Sequence, residues 1–401
     1  MGETVSFNKS NYDYNEPVIV YGASVYGEIA YYALEEMGIK PSYFCDRAYQ
    51  KQTYFEIPVI RLNDLKTMQN ANIIIASADY FRDIRNDLNK IGCYNIFDMS
   101  ELLKVEIPKG KLSNRAKEMY ANKQHYIDVV GISKDYDALV FNRIQFVVSE
   151  MCSLKCKDCT HLMQYYQKPK NIDLELYKES FDLLLDTVSI IAELRILGGE
   201  PFMNKEMYKV IDWYHDSDKI QSISIYTNGT IIPDENNLRA LQKEKVKVHI
   251  SNYGINKEKV SKLIDVLKKY HIVYFERFYD AWQDAGNTDF RGHSKEHMQI
   301  IFSRCYERNC FTFLKGQLHR CPRSAHAMNI GAMPIIKEDY VDLIHWGGDK
   351  AGLSRQIKAF MDKTYVEACN YCDGPNNHMQ NIQPAVQVKA PLPYKKITDV
   401  E

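Results

Sequence analysis

Apolar runs alternate with amphipathic stretches through the first hundred residues. The run Val18–Tyr21 enters a glycine turn at 22–27, and a helical pattern then continues to Met37 and stops at Gly38. Further strands are predicted at 43–45, 73–77 and 94–97, with helices at 63–69 and 81–91 between them. Short strands alternating with helices predict a small parallel, doubly wound sheet over about residues 16–104.

The alternation returns after residue 143 with longer helices. Strands are predicted at 144–149, 194–198, 222–226, 246–250 and 272–277, and helices at 173–189, 204–217, 235–244 and 256–270. This rhythm predicts an α/β fold, an α/β barrel or part of one, whose loops after the strands carry the chemistry. The predicted domains are a Rossmann-like sheet at 1–104, a linker with one helix at 105–142, the barrel at 143–302 and a cysteine-rich module at 303–401.

The composition is that of an ordinary folded protein. Of 401 residues, 45% are hydrophobic and 26% are charged, and the formal net charge is −1. Because no apolar stretch resembles a secretory signal or a membrane span, and basic residues are not in excess, we expect a cytoplasmic protein that binds neither nucleic acid nor membrane. Ten cysteines in that compartment indicate metal ligands rather than disulfides.

The first group of cysteines follows the strand at 144–149. Its C-x3-C-x2-C spacing comprises Cys152, Cys156 and Cys159. Three thiolates on one loop can hold three irons of a 4Fe-4S cube and leave the fourth iron open. Two later strands end in the motifs Gly198-Gly199-Glu200 and Thr227-Asn228. In this order the motifs resemble the radical S-adenosylmethionine (radical SAM) superfamily, which implies a partial (β/α)6 barrel. The alternative is a zinc or structural iron–sulfur site, but a closed site needs a fourth ligand that this loop lacks.

The resemblance implies roles for the residues around this loop. A cube on the three cysteines would cleave S-adenosylmethionine, and the 5′-deoxyadenosyl radical would take a hydrogen atom from the substrate. Gly198 and Gly199 are expected to let the cofactor's methionine end approach, and Glu200 to accept from its ammonium group. The residues expected near its carboxylate or ribose are Thr227, Asn228 and Ser251. Asp158 departs from the family pattern, because an aromatic or bulky apolar residue usually lies against the adenine there.

A second group of cysteines lies near the C-terminus. It has the spacing C-x10-G-x4-C, a long gap, and C-x2-C: Cys305, Gly316, Cys321, Cys369 and Cys372. The spacing resembles the twitch module of radical SAM enzymes, the short form of the SPASM module, which implies one auxiliary 4Fe-4S cluster on the four cysteines. A zinc ribbon is the alternative. Cys310 is left over as a buried small hydrophobe, a substitute ligand for Cys305 or, in an epimerase only, a catalytic hydrogen-atom donor.

Polar residues flank both groups of cysteines. Those around Cys321 are His319, Arg320, Arg323 and His326. They either receive a substrate phosphate or carboxylate, or offset the charge of a cluster. Those just past the first group are His161, Gln164, Tyr165 and Tyr166. They either line the substrate cavity or pack on the barrel rim.

The glycine turn of the first sheet is a dinucleotide fingerprint with its middle glycine replaced. Its pattern is Gly22-x-Ser24-x-x-Gly27, and Asp46 ends the next strand where a ribose-binding acid belongs. These four residues either bind a nucleotide or nucleotide-linked group, or belong to a sheet that serves as a dimer or docking surface. The domain also resembles small nucleotide-binding-like sheets fused to enzymes of surface-sugar assembly.

Together these features favour a radical SAM oxidoreductase with two 4Fe-4S clusters and S-adenosylmethionine. The expected substrate is a small polyhydroxylated or nucleotide-linked sugar that is oxidised at an alcohol carbon, with a flavodoxin or ferredoxin as electron donor. Sugar epimerisation and peptide maturation stay open, although peptide maturases often carry a winged helix where this chain has a parallel sheet. A non-catalytic iron–sulfur or zinc scaffold is disfavoured because it would not need the intact Gly198-Gly199-Glu200 motif.

Overall fold

A computed structural model describes residues 4–47, 49, 51–78, 80–108, 110–376 and 379–397. Contacts divide the chain into two units, Met1–Val140 and Phe141–Glu401. In the described residues, no helix combines the length and the apolar character that crossing a membrane requires.

The first unit contains one mainly parallel sheet. Its strands are β1 (Val5–Ser6), β2 (Val18–Tyr21), β3 (Tyr43–Cys45), β4 (Thr53–Tyr54), β5 (Ile57–Ile60), β6 (Asn72–Ile75) and β7 (Ile96–Asp98), and its first helices are α1 (Val25–Glu36) and α2 (Phe81–Lys90). The strand order is β1-β7-β6-β2-β3-β5-β4, and only the β4–β5 pair is antiparallel. The four predicted strands are confirmed, whereas the Rossmann-like nucleotide-binding assignment stays a prediction.

Two predicted helices of this unit differ from the structure. The helix at 63–69 is a 3-10 helix, Leu62–Thr67. The stretch predicted as a linker with one helix holds two, α3 (Asn114–Ala121) and α4 (Lys123–Ser133), because Asn122 interrupts the helical backbone between them. Tyr126 of α4 is fully buried and donates its hydroxyl hydrogen to the Ile75 carbonyl, so this stretch packs as part of the unit.

The second unit begins with the predicted alternation of strands and helices. The strands are β8 (Val140–Phe141), β9 (Ile144–Ser149), β10 (Ile190–Ile191), β11 (Leu194–Gly198), β12 (Ile223–Thr227), β13 (Val246–Asn252), β14 (Tyr274–Phe278) and β15 (Trp282–Gln283). The helices are α5 (Leu174–Thr187), α6 (Tyr208–Tyr214), α7 (Glu235–Leu241) and α8 (Lys257–Lys269). All five strands and all four helices predicted between residues 144 and 277 are confirmed, with helix ends that differ by a few residues.

The C-terminal part extends the same sheet, which the sequence did not predict. It contains α9 (Lys295–Arg304), β16 (Phe311–Leu314), β17 (Gln317–His319), α10 (Pro322–Ile330), β18 (Tyr340–Asp342), α11 (Lys350–Met361) and β19 (Asn381–Ile382). The sheet order is β14-β13-β12-β11-β9-β16-β17-β18. Strand β16 runs parallel to β9, whereas β17 and β18 are antiparallel additions. Six parallel strands therefore place their carboxyl ends along one edge.

The two faces of this sheet differ in chemistry. On the face under α5, Phe146, Phe181 and Phe313 pack with ring centroids 4.9–5.1 Å apart. On the other face, the Arg195 guanidinium lies over Tyr226, and Tyr226, His249 and Phe275 stack across three strands. Period-two alternation separates the two sets, as expected for a sheet covered by helices on one side.

Candidate functional site

The first cysteine loop leaves β9 at Ser149, and most of its residues are partly buried. Cys156 is 7% exposed and packs with Leu154 and Ala385, with Cys152 and Cys159 beside them. Burial raises the pKa of the Cys152 and Cys156 thiols to about 12, and the like charge of neighbouring cysteines adds to the effect. Three thiols gathered in this way suit a positively charged metal cluster, because binding metal removes their protons.

Gly198 and Gly199 have a packing role that differs from the one predicted. A Cβ atom on Gly198 would lie 2.2 Å from the Ser149 carbonyl oxygen, and one on Gly199 would lie 2.3 Å from the Met151 oxygen. The Gly199 and Glu200 amides also donate to these two carbonyls, each at 2.8 Å. The glycines therefore bring the end of β11 against the cysteine loop, and their predicted role toward the cofactor stays a prediction.

Glu200 is fully buried beneath the turn that follows β12. Its carboxylate accepts from Thr227 Oγ1 at 2.8 Å, from the Asn228 amide at 2.8 Å and from the Phe202 amide at 3.3 Å. Burial raises the pKa of Glu200 to about 7, although these three donors act in the opposite direction. Glu200 thus ties the Gly198-Gly199-Glu200 motif to the Thr227-Asn228 motif, as their positions at neighbouring strand ends predict.

Asn228 connects this turn to the cysteines. Its Nδ2 donates to Cys152 Sγ at 3.6 Å and to Ser153 Oγ at 3.1 Å. Ser251 lies farther along the same edge, because Thr227 pairs with Ile250, and its hydroxyl bonds with the Tyr253 side chain. The predicted cofactor contacts are therefore gathered on one edge, and their contacts with S-adenosylmethionine itself stay predictions.

The C-terminal segment covers the cysteine loop, which the sequence did not predict. Cys156 and Gln387 form an antiparallel bridge, flanked by the hydrogen bonds Lys157 N to Val386 O and Val388 N to Lys155 O, each 2.8 Å. Gln387 Nε2 also donates to Cys156 Sγ at 3.3 Å. These residues are 231 positions apart and show no apolar alternation, so no local pattern marks the pairing.

The four predicted auxiliary ligands line one cavity. Cys305 ends α9, Cys321 precedes α10, and Cys369 and Cys372 lie at a 3-10 helix, Glu367–Tyr371. Burial raises the pKa of Cys305, Cys321 and Cys369, and neighbouring cysteines raise each of them further. Gly316 forms the turn of the β16–β17 hairpin at φ +77°, which returns the chain toward Cys321.

Within the described ranges, no group of three or more His, Cys, Asp or Glu side chains is arranged to hold a single metal ion. All four cysteines nevertheless line the same cavity. The nature of their metal, cube or zinc, stays a prediction.

Cys310 lies at the end of the sheet opposite to the first cysteine loop. It is 4% exposed and directly precedes β16, whose first residue, Phe311, pairs with Ile144 at the start of β9. The cysteine loop leaves the other end of β9, roughly 20 Å away at about 3.3 Å per residue. Cys310 does not line the cavity of the other four cysteines. Its position suits a small buried hydrophobe and leaves it out of reach as a hydrogen-atom donor.

The basic residues that flank Cys321 contact mainly aromatic rings and backbone oxygens. Arg320 lies over the Phe311 ring and donates to the Met361 carbonyl, and His319 stacks on Tyr340. Arg323 donates to the backbone oxygens of Gly286 and Asn287 and also lines the four-cysteine cavity. Burial raises the pKa of Cys159, and the nearby Arg323 guanidinium acts in the opposite direction. Arg323 is therefore close to both groups of cysteines.

The polar residues past the first loop meet helix α10. Tyr166 Oη and His326 Nδ1 are hydrogen bonded at 2.7 Å, and the His161 ring lies 5.5 Å from the His326 ring. Burial lowers the pKa of both histidines. Gln164 and Tyr165 pack beside the C-terminal segment through Leu392 and Tyr394. These residues therefore pack against α10 and the C-terminal segment, and their role in lining a substrate cavity stays a prediction.

The glycine turn of the first unit is closed by Asp46. Gly22 has φ +126°, and a Cβ atom on Gly27 would lie 1.9 Å from the Gly22 carbonyl oxygen. Asp46 Oδ2 accepts from the Ala23 amide at 2.9 Å, and Ser24 precedes α1 without capping it through its side chain. The structure brings the four residues together, and nucleotide binding by them stays a prediction.

Comparison with a protein-family model supports the predicted resemblance of the barrel segment to radical SAM enzymes. Residues 146–298 match the family model of the Radical SAM superfamily. The matched segment contains the cysteine loop, the glycine pair and the turn after β12, and the superfamily implies a 4Fe-4S cluster and S-adenosylmethionine. The donor set fits that group, because three thiols come from one loop and the fourth ligand is left to the cofactor.

Relatives match over part of their length. The chain is 33% identical to GTP 3′,8-cyclase of Clostridium acetobutylicum over 109 residues, 27% of this chain and 31% of the relative. It is 29% identical to the enzyme of the same name from Alkaliphilus oremlandii over 128 residues, 31% of this chain and 39% of the relative. The chain therefore spans well under half the length of these relatives.

Solved structures resemble the chain weakly. A histidine-tagged form of anSMEcpe with bound AdoMet has a TM-score of 0.38 at 14% identity, covering 62% of this chain and 93% of that chain. BtrN in complex with AdoMet and 2-DOIA has a TM-score of 0.37 at 17% identity, covering 60% and 95%.

Proposed function

We propose that the chain is a radical SAM dehydrogenase that oxidises an alcohol carbon of a small polyhydroxylated or nucleotide-linked substrate. When bound, a 4Fe-4S cube on Cys152, Cys156 and Cys159 supplies the electron that cleaves S-adenosylmethionine, and the resulting radical removes a hydrogen atom from the substrate. The chain's own residues gather the thiols, place the Glu200 turn beside them and cover the loop with the C-terminal segment.

The observation that carries this proposal is the closeness of the two groups of cysteines. Leu162, whose amide donates to the Cys159 carbonyl at 2.9 Å, packs in the same buried cluster as Cys369, and Arg323 lines the four-cysteine cavity. Oxidation of an alcohol to a ketone removes a hydrogen atom, one electron and the hydroxyl proton. A second cube in the four-cysteine cavity would accept that electron.

Two further observations support the choice of substrate and cofactor contacts. Tyr253 and Trp282 pack against the buried cysteine cluster, so we propose that they supply the aromatic surface for adenine that Asp158 does not. The relatives' name describes a reaction of GTP, which agrees with a nucleotide-linked substrate.

The experiment is turnover of a panel of sugars, cyclitols, sugar nucleotides and peptides by the anaerobically reconstituted protein in heavy water. Oxidation predicts one 5′-deoxyadenosine per ketone formed and product without new carbon-bound deuterium. An isomerised product that carries deuterium at one carbon would instead show epimerisation. Modification confined to peptide substrates would favour maturation.

A further inference from the structure

The C-terminal segment 385–397 is fastened to the second unit at several points. Beyond the bridge between Cys156 and Gln387, the Leu392 amide donates to the Gln164 carbonyl at 2.7 Å and the Ile397 amide to the Gly331 carbonyl at 2.9 Å. The Tyr394 hydroxyl donates to the Ile330 carbonyl at 2.7 Å. The segment is thus held along the cysteine loop and the end of α10, so the position of Gln387 is defined from both sides.

The side-chain amide of Gln387 forms hydrogen bonds to the cysteine loop through both its oxygen and its nitrogen. Its Oε1 accepts from the Lys155 amide at 2.8 Å, and its Nε2 donates to Cys156 Sγ at 3.3 Å and to the Ala385 carbonyl at 2.7 Å. Gln387 is itself exposed to solvent, whereas Cys156 beneath it is 7% exposed. The side chain therefore donates one hydrogen bond to the sulfur and fixes the backbone next to it.

We propose that Gln387 is a positioning residue for the first group of cysteines, holding Cys156 and setting the reduction potential of the cluster that these cysteines bind. The inference rests on the proposed function, because it needs a cluster at Cys152, Cys156 and Cys159. An N–H donor stabilises negative charge on sulfur, and a cluster gains negative charge on reduction. Gln387 therefore favours the reduced state that cleavage of S-adenosylmethionine requires.

Two substitutions separate this role from simple packing. Gln387→Met keeps an unbranched side chain without charge but removes the donor to sulfur. Gln387→Glu keeps the shape and the acceptor for the Lys155 amide while it places a negative charge beside the sulfur. The matched control is Gln383→Met, at an exposed glutamine four residues earlier, just before the segment.

The measurement is a redox titration of the holoenzyme, followed by the electron paramagnetic resonance signal that changes when S-adenosylmethionine is added. We expect the midpoint potential to become more negative in the order wild type, Gln387→Met, Gln387→Glu, with Gln383→Met equal to wild type. Iron should also dissociate faster from both Gln387 variants under a chelator, while their unfolding midpoints stay close to that of the control.

Equal potentials in Gln387→Met and Gln383→Met, in proteins that retain full iron, would overturn the role of Gln387 and leave the proposed function standing. The absence of any signal sensitive to S-adenosylmethionine in the wild-type protein would overturn the proposed function and this inference together. The two failures are therefore distinguishable in the same set of samples.

Discussion

Gly198 and Glu200 show how single residues bring separate strand ends together. Gly198 admits the Ser149 carbonyl at a distance that no side chain allows, and Glu200 binds the turn after β12. Sequence reasoning identified both positions because the spacing of their motif resembles a known family. It could not predict the backbone contacts of Gly198 or the amide donors to Glu200, since these form only when the chain is folded, and the roles of both residues toward the cofactor stay predictions.

Gly198→Ala should destabilise the second unit by about 1–3 kcal/mol, because overpacking moves backbone as well as side chains. The free energy of unfolding in urea measures this, with Gly347→Ala as the control, since nothing lies within 4 Å of a Cβ atom at Gly347. Equal stability of the two variants would show that the end of β11 does not pack on Ser149.

Glu200→Gln should weaken S-adenosylmethionine binding by about tenfold or more, because a charge-assisted hydrogen bond is worth roughly 1.5–3 kcal/mol. The wild-type carboxyl has its pKa raised to about 7, so it is mostly neutral at pH 6 and mostly ionised at pH 8. If the ionised form binds the cofactor's ammonium, wild-type affinity falls by about tenfold from pH 8 to pH 6 beyond any change in the variant. Equilibrium dialysis measures the affinity at each pH. If affinity changed with pH equally in the wild type and in Glu200→Gln, Glu200 would have no role in cofactor binding.

Among the elements, the parallel strands and helices of the second unit were predicted well because each has its own hydrophobic period. Strand β16 and its hairpin partner were missed, since short buried strands resemble other apolar runs and their place beside β9 depends on residues far apart in sequence. The bridge between Cys156 and Gln387 was missed for the same reason. The four cysteines selected by their spacing, by contrast, do line one cavity, and their role as ligands of one cluster stays a prediction.

The position of β16 leads to a prediction about Cys310. Because its thiol lies at the start of β16, Cys310→Ser should leave turnover largely intact and should not change incorporation of deuterium from heavy water. Product analysis by mass spectrometry in normal and heavy water checks both statements. A variant that keeps its fold and its iron but loses product formation would place Cys310 in the reaction after all.

At the scale of the whole molecule, two groups of cysteines in one unit predict the metal content. After anaerobic reconstitution we expect about eight irons per chain, as two cubes of four. Replacing Cys369 and Cys372 by Ala should halve the iron and leave cleavage of S-adenosylmethionine measurable. Elemental analysis measures iron and zinc per chain. Stoichiometric zinc with about four irons would show that the four-cysteine cavity is a zinc site.

The central claim is that the first cysteine loop holds a cluster that cleaves S-adenosylmethionine. The most direct measurement is the release of 5′-deoxyadenosine and methionine by the reduced, reconstituted protein without substrate, compared with a variant in which Cys152, Cys156 and Cys159 are replaced by alanine. We predict slow release of both products by the wild-type protein and none by the variant. Equal release by the two proteins, or no release by a wild-type protein that carries a full complement of iron, would contradict the account.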